Sequence, residues 1–444
     1  MAINQPPGSS PEHDRRYPMS FARTFVRLGS ANVVMLAVHL VTIGLLGAIS
    51  PSQQFGLFLL ALSISLPFSA FAGLRFESAM PSVESARRLG VLLVLATSSI
   101  ALVCLLQIAI ILALSQLDLF EVRSLGPFEI AMLLGLTIAQ TLVQIGRLWA
   151  IRQGNVARIM RATYVRAGAM SLARGCVAAI LLLDRDMIAS EVGFWLIAGE
   201  LLVTIMMAGQ LYPFAALRLH WGKAGSVIYR RTMIKYWKFP IIETPSTMLD
   251  HLAANAPILL VTQFYGLAST ALFGLAYRGL AVPAAQLSKT LTEVMQTRYS
   301  VFQRARDWAA LEGFFWRSTL LVTGASLAGL LVFAALIWAL YDHLPESGKE
   351  FSLIVLLMSP WIAASTIVNI NSRLLLMLQR QELKLIYDFL AVFAMAALWL
   401  SHSAFGWDLL TFVGWIALVK VGVYAIYWML ILIAVRSLRD RKAG

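Results

Sequence analysis

Apolar stretches of about 20 residues follow one another along nearly the whole chain, separated by short turns where Ser, Pro, Gly, Gln and charged residues collect. A helix needs ~20 residues to cross ~30 Å of hydrocarbon, so each stretch has the length of a membrane span. About twelve spans can be placed. The first six run at about 25–49, 55–74, 89–114, 128–149, from near Val156, and at about 192–212. Spans seven and eight lie within Tyr236–Tyr299 and meet at Phe264, Tyr265 and Gly266. The last four fall at about 317–341, 351–378, 385–401 and 409–435. Pro67 should kink span two. The pattern predicts an all-α polytopic membrane protein.

The polar remainder divides the chain. Residues 1–22 are rich in Pro and Ser and hold no apolar core of a signal peptide, so they read as a disordered cytoplasmic tail. Residues 213–235 are basic and aromatic at amphipathic spacing, which suits a helix lying on the membrane surface. That segment sits near the midpoint and predicts two lobes of six spans, residues 23–212 and 236–436, followed by a basic tail at 437–444. An internal echo supports the division: LLGAISPSQQFGLFLL joins spans one and two, and LLVTQFYGLASTALFGLA joins spans seven and eight. Parallel repeats of this kind recur in transporters.

Composition agrees with the spans: of 444 residues, 59% are hydrophobic and 13% charged, which excludes a soluble domain of this length. The net charge of +13 would suit nucleic acid, but its distribution does not. With the amino terminus inside, about 29 Lys and Arg fall on the cytoplasmic side and about three outside, namely Arg123, Arg185 and Lys349. Both termini are therefore expected in the cytoplasm. Cys104 and Cys176 lie inside apolar runs and act there as small hydrophobes. Asp184, Arg185 and Asp186 form a D-x-D, but in a short outer loop without the soluble fold a glycosyltransferase needs.

The informative residues are charges within spans. Arg174, Arg278, Lys289 and Lys420 are cations where each costs ~2.5–3.5 kcal/mol on insertion scales, and Glu200, Glu243 and Asp250 are acids in similar positions. Glu243 and Asp250 share a helix face, as do Arg278 and Lys289. Depth along the two helices would allow Glu243 to pair with Lys289 and Asp250 with Arg278. Arg174 and Lys420 have few acids nearby in sequence, so the expectation is a wet cavity with surplus positive charge, fit for an anionic cargo. Arg278 is the first candidate to hold that anion, with Lys289, Arg174 and Lys420 behind it. Gln140 and Gln144, one turn apart, suit hydrogen bonds across helices or contacts to sugar hydroxyls, Asn32 and Asn255 are further candidate contacts for such a sugar, and a lone His39 reads as packing. Glu243 and Asp250 are candidates for coupling to a proton or sodium gradient. No cofactor and no metal is expected.

Tyr236, Phe239-Pro240, Pro257, Phe264, Gly266, Gly274, Ala276, Arg278 and Pro283 resemble the signature of Wzx-type oligosaccharide flippases of the polysaccharide biosynthesis protein family. Ser50-Pro51, Phe55-Gly56 and Leu74-Arg75-Phe76-Glu77 resemble its opening motif, and the layout is similar over nearly the whole chain. The resemblance implies the multidrug/oligosaccharidyl-lipid/polysaccharide exporter fold, with two six-helix lobes in a V around a central cavity lined by spans one, two, seven and eight. It implies a cargo of undecaprenyl-diphosphate-linked oligosaccharide, flipped across the bacterial inner membrane, with a polysaccharide polymerase and assembly proteins as partners. The rival readings are a multidrug exporter of the same fold, which would favour an acidic cavity, and a noncatalytic scaffold for glycan assembly. A glycan polymerase or ligase would need a larger outer surface than these short loops provide.

Overall fold

The computed structural model describes residues 37–38, 41–83, 85–153, 155–184, 189–220, 226–304, 307–341, 346–378 and 380–440. Among the described residues it is all helix and turn. Helix α1 covers residues 41–49, followed by α2 (Ser52–Phe71), the short α3 (Phe76–Ala79), α4 (Ala86–Gln116), α5 (Pro127–Arg152), α6 (Val156–Leu183) and α7 (Val192–Leu211). After α8 (Phe214–His220) and α9 (Ser226–Tyr236) comes a π turn at Phe239–Glu243, which opens α10 (Thr244–Arg304). Then follow α11 (Trp308–Leu340), α12 (Glu346–Met377), α13 (Gln381–Phe405) and α14 (Leu409–Asp440).

Ten helical stretches have the length and hydropathy to cross a membrane, and one of them, Phe239–Ala285, is 47 residues long. That stretch is two rods. Gly266, at φ 75° and ψ −176°, breaks it in a conformation that a Cβ would disfavour, as the sequence pattern expects. With α1, the span pattern of a multi-pass membrane protein is accounted for; Asn32, His39 and most of the first span lie outside the described residues. The exterior agrees, since Leu102, Leu172, Leu183, Leu321, Trp338 and Phe393 stand exposed as side chains facing lipid would. The ninth span begins about nine residues earlier than its hydropathy suggests, because Asp307 caps the helix by accepting the Ala310 N–H at 2.9 Å.

Helices α2, α5, α6 and α7 pack on one another, and α10, α12, α13 and α14 do the same, while the broadest packing across the two bundles joins α2 to α10. The two echo segments meet in that joint. A Cβ on Gly56 would run into the Leu267 carbonyl just after the Gly266 break, and one on Gly47 or Gly274 would strike Leu275 or Leu59. The glycines are there to let the backbones approach. At the same end, the loop after α4 reaches across: the Phe120 N–H donates to Gln263 Oε1, and the Phe120 ring lies 5.6 Å from Trp399.

Gly56→Val is therefore expected to push this end apart. The clash is with backbone, which cannot rotate away, so the distance between spin labels on Gln53 and Ala268 should lengthen by several ångströms in the variant. An unchanged distance would show that the joint tolerates a side chain there.

Candidate functional site

Among the described residues, four sets built on charged side chains interrupt the apolar packing. The first lies where α6 and α7 face each other. Glu200 on α7 accepts from Arg166 Nη2 at 3.0 Å through one carboxylate oxygen and from Arg174 Nη2 at 3.2 Å through the other. Arg174 Nη1 also donates to Thr42 Oγ1 of α1 at 3.0 Å. The expectation that Arg174 lacks a nearby acid is thus corrected. Running in opposite directions, α6 and α7 bring Arg174 and Glu200 to one depth.

Arg278, on the second rod of α10, belongs electrostatically to this set: the Glu200 carboxylate and the Arg174 guanidinium both act on it. Its side chain is 8% exposed, and its Nε has no hydrogen-bond partner. Two guanidiniums of α6 therefore share one carboxylate at contact distance, and Arg278 of the other bundle lies within its electrostatic reach without touching it. The expected Arg278–Asp250 pair does not form. Asp250 instead faces Lys384.

The second set lies between the first rod of α10 and α13. Lys384 Nζ donates to both oxygens of Asp388 at 2.9 and 3.0 Å, lies 3.5 Å from Asp250 Oδ2, and reaches Ser246 Oγ at 3.3 Å. The Ser246 hydroxyl in turn donates to Asp388, whose side chain is fully buried. Lys384 and Asp388 are four residues apart in an apolar run, a signal that reading the sequence for isolated charges passed over.

Lys420 makes the third. Its ammonium donates to the Ala253 carbonyl at 2.5 Å and lies 5.6 Å above the Trp361 ring, which itself stacks on Tyr277. A carbonyl and an indole face stabilise this charge without a direct carboxylate. Asn255, a candidate sugar contact, gives its amide to the His251 carbonyl in its own helix at 2.9 Å.

The fourth set closes the opposite end of the bundle joint from Gly56. Arg75 Nη2 and Nε both donate to Glu243 Oε1, at 2.7 and 3.2 Å, so Glu243 does not pair with Lys289. The side chains of Lys289 and Glu293 lie outside the described residues, as do Arg185 and Asp186. Arg75 Nη1 also lies 3.8 Å from Glu77 Oε1, to which Gln144 Nε2 donates at 3.3 Å. Gln140, one turn away on α5, keeps its Oε1 buried and unbonded. Leu74 and Arg75 have left-handed backbone, φ 46° and 58°, which turns the chain sharply after α2 and aims Arg75 across the joint. Around the pair, Phe76, Met80, Trp149 and Tyr212 pack with Leu74, Tyr236 and Phe239, so residues from both bundles seal the contact. The Leu74-Arg75-Phe76-Glu77 motif is the centre of this closure.

No family model matches the sequence, and no curated protein does either. Solved structures do match in fold. The lipid II flippase MurJ in an inward closed conformation aligns with TM-score 0.68 at 12% identity, over 93% of this chain and 87% of that one. An inward-facing multidrug resistance MATE family transporter of the MOP superfamily aligns with TM-score 0.63 at 12% identity, over 92% and 99%. A MOP superfamily transporter from Pyrococcus furiosus, described as having reversed polarity of its binding pocket, aligns with TM-score 0.55 at 15% identity, over 94% and 95%. At these identities the shared property is the fold, and the all-α polytopic architecture is the one the spans predict.

Proposed function

We propose that the chain is a flippase that moves an anionic, lipid-linked oligosaccharide, of the undecaprenyl-diphosphate class, across the bacterial inner membrane by alternating access. The observation that carries this reading is the Arg278 guanidinium: buried, with an unbonded Nε and, among the described residues, no carboxylate at contact distance. A buried surplus of Arg is costly unless an anion visits it, and a planar guanidinium suits the oxygens of a diphosphate. Arg174 shapes the field but is tied to Glu200; Lys420 and Lys289 are weaker candidates for the same role.

The two bundles serve as the lobes, residues 23–212 and 236–436, with 213–235 as the linker and both termini cytoplasmic. The Arg75–Glu243 contact is then the inner gate, and the Gly56–Leu267 approach is the outer one. Two such contacts at opposite ends are what alternating access requires, since each must break in turn. Gln140 and Gln144 lie on the lobe that carries Glu77, and Gln140 retains an acceptor for a sugar hydroxyl. A polysaccharide polymerase and assembly proteins would receive the product outside.

The test is reconstitution. Proteoliposomes holding a fluorescent undecaprenyl-diphosphate-linked oligosaccharide should show a protein-dependent rise in the fraction quenched by dithionite. If no such lipid moves while cells expressing the chain expel ethidium, the multidrug reading replaces this one; if neither occurs, the scaffold reading does.

A further inference from the structure

A second carboxylate, Glu77, stands beside the Arg75–Glu243 contact. Glu77 is 1% exposed, its Oε2 has no hydrogen-bond partner, and a Cβ on Gly73 would collide with that oxygen. Arg75 stands between two carboxylates and spends both of its short bonds on Glu243, leaving Glu77 at 3.8 Å. One guanidinium cannot serve both acids fully at once. An ionised Glu77 in this position would compete for Arg75 and would bury a charge, whereas a protonated Glu77 is neutral, accepts from the Gln144 amide through Oε1 and leaves Arg75 to Glu243.

We propose that Glu77 is a proton-binding site that governs the inner gate: a proton on its carboxyl releases Arg75 to Glu243 and closes the gate, and loss of that proton draws Arg75 back and opens it. The inference rests on the alternating-access reading, but its test reads the gate itself and needs no substrate. It assigns coupling to a residue other than Glu243 and Asp250.

Arg75 is, among the described residues, the cation that the structure brings within 4 Å of Glu77. Among the described residues, α5 presents Gln144 and, one turn on, Arg147 together with Arg152, whose Nε donates to the Val83 carbonyl at 3.0 Å. From α4 come Arg87 and Arg88 at an exposed helix start, and from the π turn come Glu243 and, beside it, the exposed Lys238. His251 of α10 lies within electrostatic reach of Arg75. Burial pushes the Glu77 carboxyl up to about 7, with Arg75 opposing the rise and Glu243 adding to it. Glu77 stands in the connection between the spans α2 and α4, not within one.

The sign follows. In an open, hydrated gate the carboxyl returns to about 4.3, the ordinary value for Glu. The closed state holds its proton more tightly, so its advantage is complete below about 4.3 and is lost as pH rises to about 7, with no further change above. Across that window the ratio of closed to open changes by at most about tenfold per pH unit.

The test uses the full chain in nanodiscs with Cys104 and Cys176 changed to Ser and spin labels on Arg88→Cys and Trp237→Cys, both outside the gate. Double electron–electron resonance is recorded from pH 4.5 to 8.5. The wild-type gate should move from a short to a longer distance as pH rises through the window and then stay constant. Glu77→Gln, nearly isosteric and permanently neutral, should keep the short distance at every pH, and Glu243→Gln should lengthen it even at pH 5. A wild-type distance that ignores pH overturns the proposal, as does a Glu77→Gln gate that titrates like the wild type. If Glu77→Gln fails to fold, the wild-type titration and the Glu243→Gln arm still decide.

Discussion

Glu200→Ala should cost about 3–5 kcal/mol of stability, enough to leave little folded protein in detergent. The alanine removes the carboxylate that Arg166 and Arg174 both face, at 3.0 and 3.2 Å, in a place where Arg174 is 5% exposed. Charge left behind in the interior is the expensive outcome; loss of the attraction is the smaller part. For the same reason, replacing Glu200, Arg166 and Arg174 together by Leu should recover much of the loss, since apolar side chains of suitable volume replace a buried ion triad at little cost. Thermal unfolding followed by fluorescence-detected gel filtration separates these cases. A single variant as stable as the wild type would mean that water reaches the set and solvates the two guanidiniums.

Arg278→Gln should behave in the opposite way, folding well and transporting poorly. Removing a buried guanidinium whose Nε is unbonded relieves desolvation and breaks no short ion pair in its immediate surroundings. A charged hydrogen bond to substrate is worth ~1.5–3 kcal/mol, so the rate of flipping at subsaturating substrate should fall about 10- to 100-fold. Arg278→Lys should fall between, because it keeps the charge and loses the planar fork. A gain in melting temperature combined with that loss of rate is the signature of a substrate-binding residue. Equal transport by Arg278→Gln would make Arg278 a structural residue of the bundle joint.

Hydropathy and turn chemistry reveal the fold almost completely, because a span is a property of consecutive residues and needs no knowledge of its neighbours. The break at Gly266 is legible for the same reason. Pairing of charges is not, since it depends on helix rotation and on which helix lies alongside. Depth alone matches Asp250 with Arg278 and Glu243 with Lys289, but Asp250 meets Lys384 from α13 and Glu243 meets Arg75 from the turn after α2. One pair was within reach of simple counting: Arg174 stands nine residues before the end of α6 at Leu183, and Glu200 eight after the start of α7 at Val192. Two antiparallel neighbours place such residues at one depth. Arg75 and Glu77 are visible in the sequence only as a motif; their contacts with Glu243 and Gln144 depend on the left-handed turn that follows α2.

The most direct measurement is the initial flipping rate of one oligosaccharide carried on three lipids, undecaprenyl diphosphate, undecaprenyl monophosphate and the neutral undecaprenyl ether, in proteoliposomes of equal protein content. Recognition of an anion by the Arg278 set predicts the fastest rate for the diphosphate, a slower one for the monophosphate and a rate near background for the neutral lipid. Equal rates for all three, or a preference for the neutral lipid, would contradict it.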